Sequence, residues 1–359
     1  MGKVLMKGNE AISEAAIRAG CLNYFAYPIT PQNEVAEYLS KRLPEVGGVF
    51  LQGESEVAVS YMLFGASACG ARVLTTSSSP GISLMSEGLS YMTAAQCPVV
   101  LINIMRCGPG LGGILPAQGD YFQATKGGGH GDYHLLVMAP ASVQEAVEMV
   151  MQAFILAEKY RNPVMLLGDG LIGQMMEPVE FPEDYIVPPV NKDAWATSGM
   201  GTRKSRTRNL VKTLYLDPVE LNNHNLLLKS KYDRMKREDV RFENYNTDTD
   251  YSALIVSYGT MSRVCITAID NLKAEGLEVG MLRPQTLFPF PEKGVHAAAA
   301  KKSCKVVISV EMSMGQMVED VDRSVKGQRP VEWYGKCGGE VPTPEEIMDV
   351  VRAKLKQSS

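Results

Sequence analysis

Two doubly wound α/β domains in tandem are the fold class this sequence predicts, on three observations. Short apolar runs alternate with longer amphipathic stretches in both halves of the chain. Several runs, such as PVVLINIM at 98–105, are apolar at nearly every residue, the pattern of a parallel strand covered on both faces. The alternation fails between about 183 and 248 and then resumes, dividing the 359 residues into a unit at 1–182, a linker at 183–248 and a smaller unit at 249–359.

Taken in order, 11–19 reads as an amphipathic helix and 22–27 as an apolar strand. Helix 31–43, strand 49–52, helix 54–68 and strand 72–76 follow, then helix 82–95 and strand 98–105. Segments 134–139, 142–160 and 163–168 add a strand, a helix and a strand. After Pro182 come Pro188, Pro189 and the basic run GMGTRKSRTR at 199–208, which reads as a solvated loop. A charged helix is expected at 226–245. Strands at 253–257, 279–282, 305–310 and 331–334 then alternate with helices at 261–274, 293–301, 315–325 and 344–356.

A net charge of -4 gives no footprint for nucleic acid or for an acidic membrane surface. No apolar run reaches 18 residues, and residues 1–10 lack a signal-peptide layout, so a cytoplasmic protein is expected. The seven cysteines, Cys21, Cys69, Cys97, Cys107, Cys265, Cys304 and Cys337, include no CxxC pair. Cluster and zinc sites need close ligand pairs, so reduced thiols and no metal site are expected in this chain.

Four clusters fall where strands end. In Tyr27-Pro28-Ile29-Thr30-Pro31, Pro31 suits a first helical position, leaving Thr30 to cap the helix or to face an anion. In QGESEVA (52–58), Glu54 and Glu56 suit the positive end of a helix, or one is a buried acid set against a cofactor nitrogen. The run TTSSSPG (75–81) contains Ser78 and Ser79 and reads either as a polar loop over a ligand or as cap and turn chemistry. Arg106 opens the glycine loop GPGLGG (108–113), which leads to QGDYFQ (118–123) and KGGGHGDY (126–133). The loop fits GxGxxG, but Pro109 lies inside it and no helix pattern follows, so dinucleotide binding is not expected. Arg106 suits a carboxylate, whose two oxygens match its planar fork.

Together YPITP, QGESE, TTSSSPG, MRCGPGLG, KGGGHGDY, APASVQEA and RNPVMLLGDG resemble, in order and spacing, the alpha subunits of 2-oxoacid:ferredoxin oxidoreductases. The details are most similar to the branched-chain, 2-ketoisovalerate subfamily, although Cys107 stands where that pattern has glycine. The resemblance implies a thiamine-diphosphate (pyrimidine-type) domain followed by a transketolase C-terminal-like domain serving mainly in assembly. It implies oxidative decarboxylation of a 2-oxoacid to an acyl-coenzyme A, with electrons passed to ferredoxin.

It further implies that Glu56 bonds the pyrimidine nitrogen, favouring the imino form that deprotonates the thiazolium carbon, with Pro28, Ser78 and Ser79 beside the cofactor. Thr30 and Arg106 would hold the substrate's oxo and carboxylate groups, with Gly108, Gly110 and Leu111 near its side chain. Thiamine-diphosphate enzymes bind magnesium at a GDG followed by an Asn pair. Here Asn191 comes 22 residues after Asp169 and is followed by Lys192, so Gly168-Asp169-Gly170 reads as a core strand end. Magnesium and [4Fe-4S] clusters would therefore sit on partners: a beta subunit, and gamma and ferredoxin-like subunits. Rival readings are a 2-oxoglutarate-specific alpha subunit, with Arg72, Lys126 or Arg161 as the extra cation, a split non-oxidative 2-oxoacid decarboxylase, and a non-catalytic assembly subunit.

Overall fold

A computed structural model describes residues 2–182, 188, 190–199 and 208–357. Residues 200–207 of the basic run lie outside them. The first unit runs β1 (Val4–Lys7), α1 (Gly8–Arg18), β2 (Asn23–Ala26), α2 (Asn33–Glu45), β3 (Val49–Gln52), α3 (Glu56–Ala68), β4 (Val73–Ser77), α4 (Pro80–Ala94) and β5 (Val100–Met105). It continues with α5 (Tyr121–Thr125), β6 (Leu136–Met138), α6 (Val143–Tyr160), β7 (Val164–Asp169), α7 (Gly170–Gln174) and β8 (Met176–Val179).

After α8 (Pro218–Glu238) and β9 (Phe242–Tyr245), the second unit runs β10 (Ala253–Val256), α9 (Gly259–Ala274), β11 (Val279–Pro284), β12 (Thr286–Phe288), α10 (Glu292–Ala299), β13 (Val306–Glu311), α11 (Met317–Val325), β14 (Val331–Gly335) and α12 (Pro344–Gln357). Among the described residues no helix is long and apolar enough to cross a membrane.

The helices start where side chains can cap them. Ser55 accepts the Ala58 N–H before α3, Ser142 accepts the Glu145 N–H before α6, and Asp217 accepts the Val219 N–H before α8. That last cap, with Pro218 in the first turn, sets α8 earlier than the helix expected at 226–245. Residues 242–245 of that expectation are instead a strand, pairing antiparallel with β11.

The seven-stranded sheet has the order β12-β6-β7-β5-β4-β2-β3, and the five-stranded sheet β14-β13-β10-β11-β9. Within each, strands are parallel except at an edge, where β12 pairs antiparallel with β6 and β9 with β11. Each unit is doubly wound as expected, and β12 crosses from the second unit to close the edge of the first sheet. One apolar core runs from the first sheet onto the near face of the second, through Tyr258, Leu282 and Val307. Parallel β2, β3, β4 and β5 deliver their following loops to one sheet edge, which is where such folds bind ligands.

Candidate active site at the carboxyl edge of the first sheet

Past β2 the chain makes one more turn than the sequence suggested. Thr30 and Pro31 lie in that turn, Gln32 precedes the helix, and α2 starts only at Asn33, so Thr30 is not the cap and Pro31 is not the first helical residue. The turn is held from outside: the Pro31 carbonyl accepts Asn9 Nδ2 and Gln174 Nε2, each at 3.0 Å. Among the described residues the Thr30 hydroxyl accepts one bond, from Asn33 Nδ2 at 3.4 Å. Pro28 is exposed beside it.

At α3 the two glutamates part company. Glu54 is exposed, whereas Glu56, the first residue of the helix, is 5% exposed and makes no side-chain hydrogen bond among the described residues. The helix N-terminus favours its charge. A Cβ built on Gly81 would lie 2.7 Å from Glu56 Oε1 and 2.1 Å from Ser77 Oγ, so a glycine is what lets α4 approach this carboxyl group.

The hydroxyl run at the end of β4 divides in the same way. Thr75, Ser77 and Ser78 have buried hydroxyls without a partner. Ser79 is fully engaged: its hydroxyl donates to Asp120 Oδ2 at 2.6 Å and accepts the Arg106 N–H at 3.1 Å, while its own N–H donates to Asn103 Oδ1 at 3.0 Å. Asn103 Nδ2 completes the ring by donating to Asp120 at 2.9 Å. Burial pushes the Asp120 carboxyl above the usual carboxylate range, against the lowering bonds from Ser79 and Asn103.

Arg106 is 8% exposed. Its Nη1 donates to the Thr30 carbonyl at 3.0 Å and its Nη2 to the Leu111 carbonyl at 3.3 Å, while its buried Nε has no partner. The arginine thus joins the YPITP turn to the glycine loop. No helix opens inside that loop. Gly108 and Gly110 are exposed, and Leu111, Ile114 and Leu115 are 83%, 60% and 55% exposed. The apolar side chains of this loop are therefore not covered by the described residues of this chain.

The structure joins Arg106 to the Thr30 carbonyl and to the Ser79 hydroxyl, and brings Gly81 close to both Glu56 and Ser77. Sequence reasoning missed Asn103 and Asp120. Asn103 had left a signal as the one polar residue inside strand 98–105. Asp169 ends β7 and caps α7, accepting the Leu171 and Ile172 N–H groups at 2.9 and 3.2 Å.

Unpartnered buried hydroxyls, a guanidinium Nε and a lone carboxyl at one sheet edge fit a polar cofactor that would satisfy them. Residues 14–238 match the family model "pyruvate flavodoxin/ferredoxin oxidoreductase, thiamine diP-bdg", and residues 252–347 match pyruvate:ferredoxin oxidoreductase core domain II. The chain is 45% identical over 359 residues to ketoisovalerate oxidoreductase subunit VorB of Methanothermobacter thermautotrophicus, covering 100% of each chain. It is 36% identical to 2-oxoglutarate synthase subunit KorA of the same organism, covering 96% and 97%. Among solved structures, 2-oxoglutarate:ferredoxin oxidoreductase from Magnetococcus marinus, with 2-oxoglutarate, coenzyme A and succinyl-CoA bound, superposes with a TM-score of 0.86 at 28% identity. The match covers 99% of this chain and 65% of that longer one.

Proposed function

Because this chain belongs to the pyruvate flavodoxin/ferredoxin oxidoreductase family, we propose that it is the alpha subunit of a thiamine-diphosphate-dependent 2-oxoacid:ferredoxin oxidoreductase acting on branched-chain 2-oxoacids. The observation that carries the reading is Glu56, buried and unpartnered at a helix start, with Gly81 shaped to admit it. Bound thiamine diphosphate supplies the nucleophile and electron sink that decarboxylation of a 2-oxoacid requires. The protein's task is to hold and orient.

Glu56 would share a proton with the pyrimidine ring, with Ser78 offering its free hydroxyl and Pro28 the ring's apolar neighbour. Ser79 serves at one remove, since its hydroxyl is spent on Arg106 and Asp120. Arg106 would bind the substrate carboxylate through its free Nε, and Thr30 the oxo group.

The substrate class rests on where the cations lie. Arg72 forms a two-pronged bond with Glu158, each arm 2.9 Å, at the start of β4 and so away from the site. Arg161 stacks over Trp195 before β7, and Lys126 pairs with Asp320 at 2.5 Å. None of these three is set to receive a second carboxylate, whose burial would go uncompensated. The glycine loop near the substrate offers Leu111, Ile114 and Leu115 instead.

The same reading assigns the magnesium-diphosphate site and the [4Fe-4S] clusters to beta, gamma and ferredoxin-like subunits, since Asp169 is spent on capping and the cysteines are dispersed. Ferredoxin and coenzyme A are then partners of the assembly. It keeps the divisions 1–182, 183–248 and 249–359, with β9 and β12 as strands given across them. Assay of the assembled complex for 2-oxoacid-dependent viologen reduction, with and without coenzyme A, tests it. The highest kcat/KM should fall to 2-ketoisovalerate over pyruvate and 2-oxoglutarate. A clear preference for 2-oxoglutarate overturns the branched-chain assignment, and no turnover with any 2-oxoacid overturns the activity.

A further inference from the structure

Resting on the reading of Arg106 as the substrate-carboxylate group, the geometry points to Gln316 of the second unit, acting through Asp120, as a positioning device for that arginine. The second unit would then tune the substrate contact as well as serve assembly.

The inference starts from how the segment after the glycine loop is gripped. Gln118 is completely buried and exchanges both backbone and side-chain bonds with the second unit. Its N–H donates to the Met312 carbonyl at 2.8 Å, its Oε1 accepts the Met312 N–H at 2.9 Å, and its Nε2 donates to the Tyr258 carbonyl at 2.9 Å. Four residues after Met312, Gln316 Nε2 donates to the Gly119 carbonyl at 2.7 Å and Gln316 Oε1 accepts the Phe122 N–H at 2.8 Å. Tyr121 donates to Asp320 Oδ2 at 2.6 Å. Asp120 is thus bracketed on both sides by bonds to Tyr258, to the turn after β13 and to α11.

Its carboxylate turns the other way, into the first unit, where it meets Ser79 and Asn103. Ser79 has φ of +23°, a conformation a serine adopts only when its surroundings impose it. Here the imposing bonds come from Asn103 and Asp120. The hydroxyl held in this way is the acceptor of the Arg106 N–H. The chain of contacts runs Gln316, backbone at Gly119 and Phe122, Asp120, Ser79, Arg106.

Simple docking between the units does not require this arrangement. Arg263 Nη1 to Glu177 Oε1 at 2.6 Å and Arg283 to Glu145 at 2.8 Å join the units elsewhere. Neither pair leads to Ser79 or Arg106. The bonds at Gln118 and Gln316 are distinct in flanking the carboxylate that holds Ser79.

The test uses the assembled complex with Gln316→Ala, Asp120→Asn, Asp120→Ala and, as a docking control, Arg263→Ala. Two quantities are read: KM and kcat for the preferred 2-oxoacid, and the rate at which phenylglyoxal modifies Arg106 without substrate, followed by peptide mass spectrometry. Gln316→Ala and Asp120→Ala should raise KM about tenfold, the worth of about one hydrogen bond, with a smaller change in kcat. They should also speed Arg106 modification. Asp120→Asn, which keeps an acceptor for the Ser79 hydroxyl, should recover much of both, and Arg263→Ala should alter neither.

If Gln316→Ala leaves KM and labelling at wild-type values, or if Arg263→Ala moves them equally, the positioning role is overturned. If labelling responds while KM does not, the relay stands and the assignment of Arg106 to the substrate carboxylate fails. Should Asp120→Ala not fold, Gln316→Ala and Asp120→Asn decide the matter.

Discussion

At the carboxyl end of the first sheet, β3, β4 and β5 run out into a helix-start glutamate, buried hydroxyls and an arginine with unmet bonding capacity. At the carboxyl end of the second, β13 ends on Glu311, which is completely buried and fully used. Glu311 Oε2 accepts the N–H groups of Gln316 and Met317, each at 3.0 Å, and the Ser313 hydroxyl at 2.7 Å. Its Oε1 accepts the Val318 N–H at 3.1 Å and the Ser309 hydroxyl at 3.0 Å. The two sheets share an architecture, and each edge has a helix start that favours an anion. Each holds a carboxylate there, but Glu311 is bonded within the chain and Glu56, among the described residues, is not.

The difference separates fold from site. A buried polar group without a partner costs about 1–3 kcal/mol, so a cluster of them in one crevice marks a place where something else completes the bonding. Among the described residues the Glu311 carboxylate has no such deficit. Mutations at the first edge should therefore cost activity, and those at the second, Gln316 apart, should cost stability.

The largest expected effect is at Glu56. Glu56→Gln in the assembled complex should cut turnover about 10²–10⁴-fold with 2-oxoacid binding nearly intact, whereas Glu54→Gln should do much less. Reversal of the two would place the reactive acid two residues earlier. Next, Glu311→Ala should destabilise the chain by roughly 3 kcal/mol or more, since it strands donors in a buried site, seen as an early denaturant midpoint. A loss of turnover without a loss of stability there would break the comparison.

Gly81→Ala should lower kcat on the order of 10²-fold, because the added methyl must displace Glu56 or Ser77. The midpoint of unfolding should move little by comparison. A smaller effect calibrates buried charge away from either edge. Burial, aided by Arg161, lowers the Lys231 ammonium to about 7 from its ordinary 10.5. Its folding penalty is then complete below pH 7 and relieved as pH rises from 7 toward 10.5. Lys231→Met should accordingly stabilise the chain at pH 6 and much less at pH 9.5, read as the difference in Tm.

Much of this was legible in sequence where one signal governed. The strand at 49–52 has the bounds of β3, because Gly47-Gly48 and Gly53 flank it. The clusters holding Thr30, Glu56 and Arg106 stood out because each follows a strand in a parallel sheet, while the choice of those three residues came from the family resemblance. Elements set by distant partners were not legible. FENY at 242–245 follows a charged helix closely, and TLF at 286–288 is three residues long, so only pairing with β11 and β6 makes them strands. Asp120 stood in a motif, but its meaning depends on Asn103, Ser79 and Gln316, which folding alone assembles. The extra turn at Thr30 depends likewise on Asn9 and Gln174 holding the Pro31 carbonyl.

The central claim is that the open edge holds thiamine diphosphate with Glu56 as its activating acid. Deuterium exchange at the thiazolium carbon of the cofactor in the assembled complex, without substrate, tests it most directly. Glu56→Gln should slow that exchange about 10²–10⁴-fold while Glu54→Gln leaves it at the wild-type rate. Exchange in Glu56→Gln as fast as in the wild type would contradict the account.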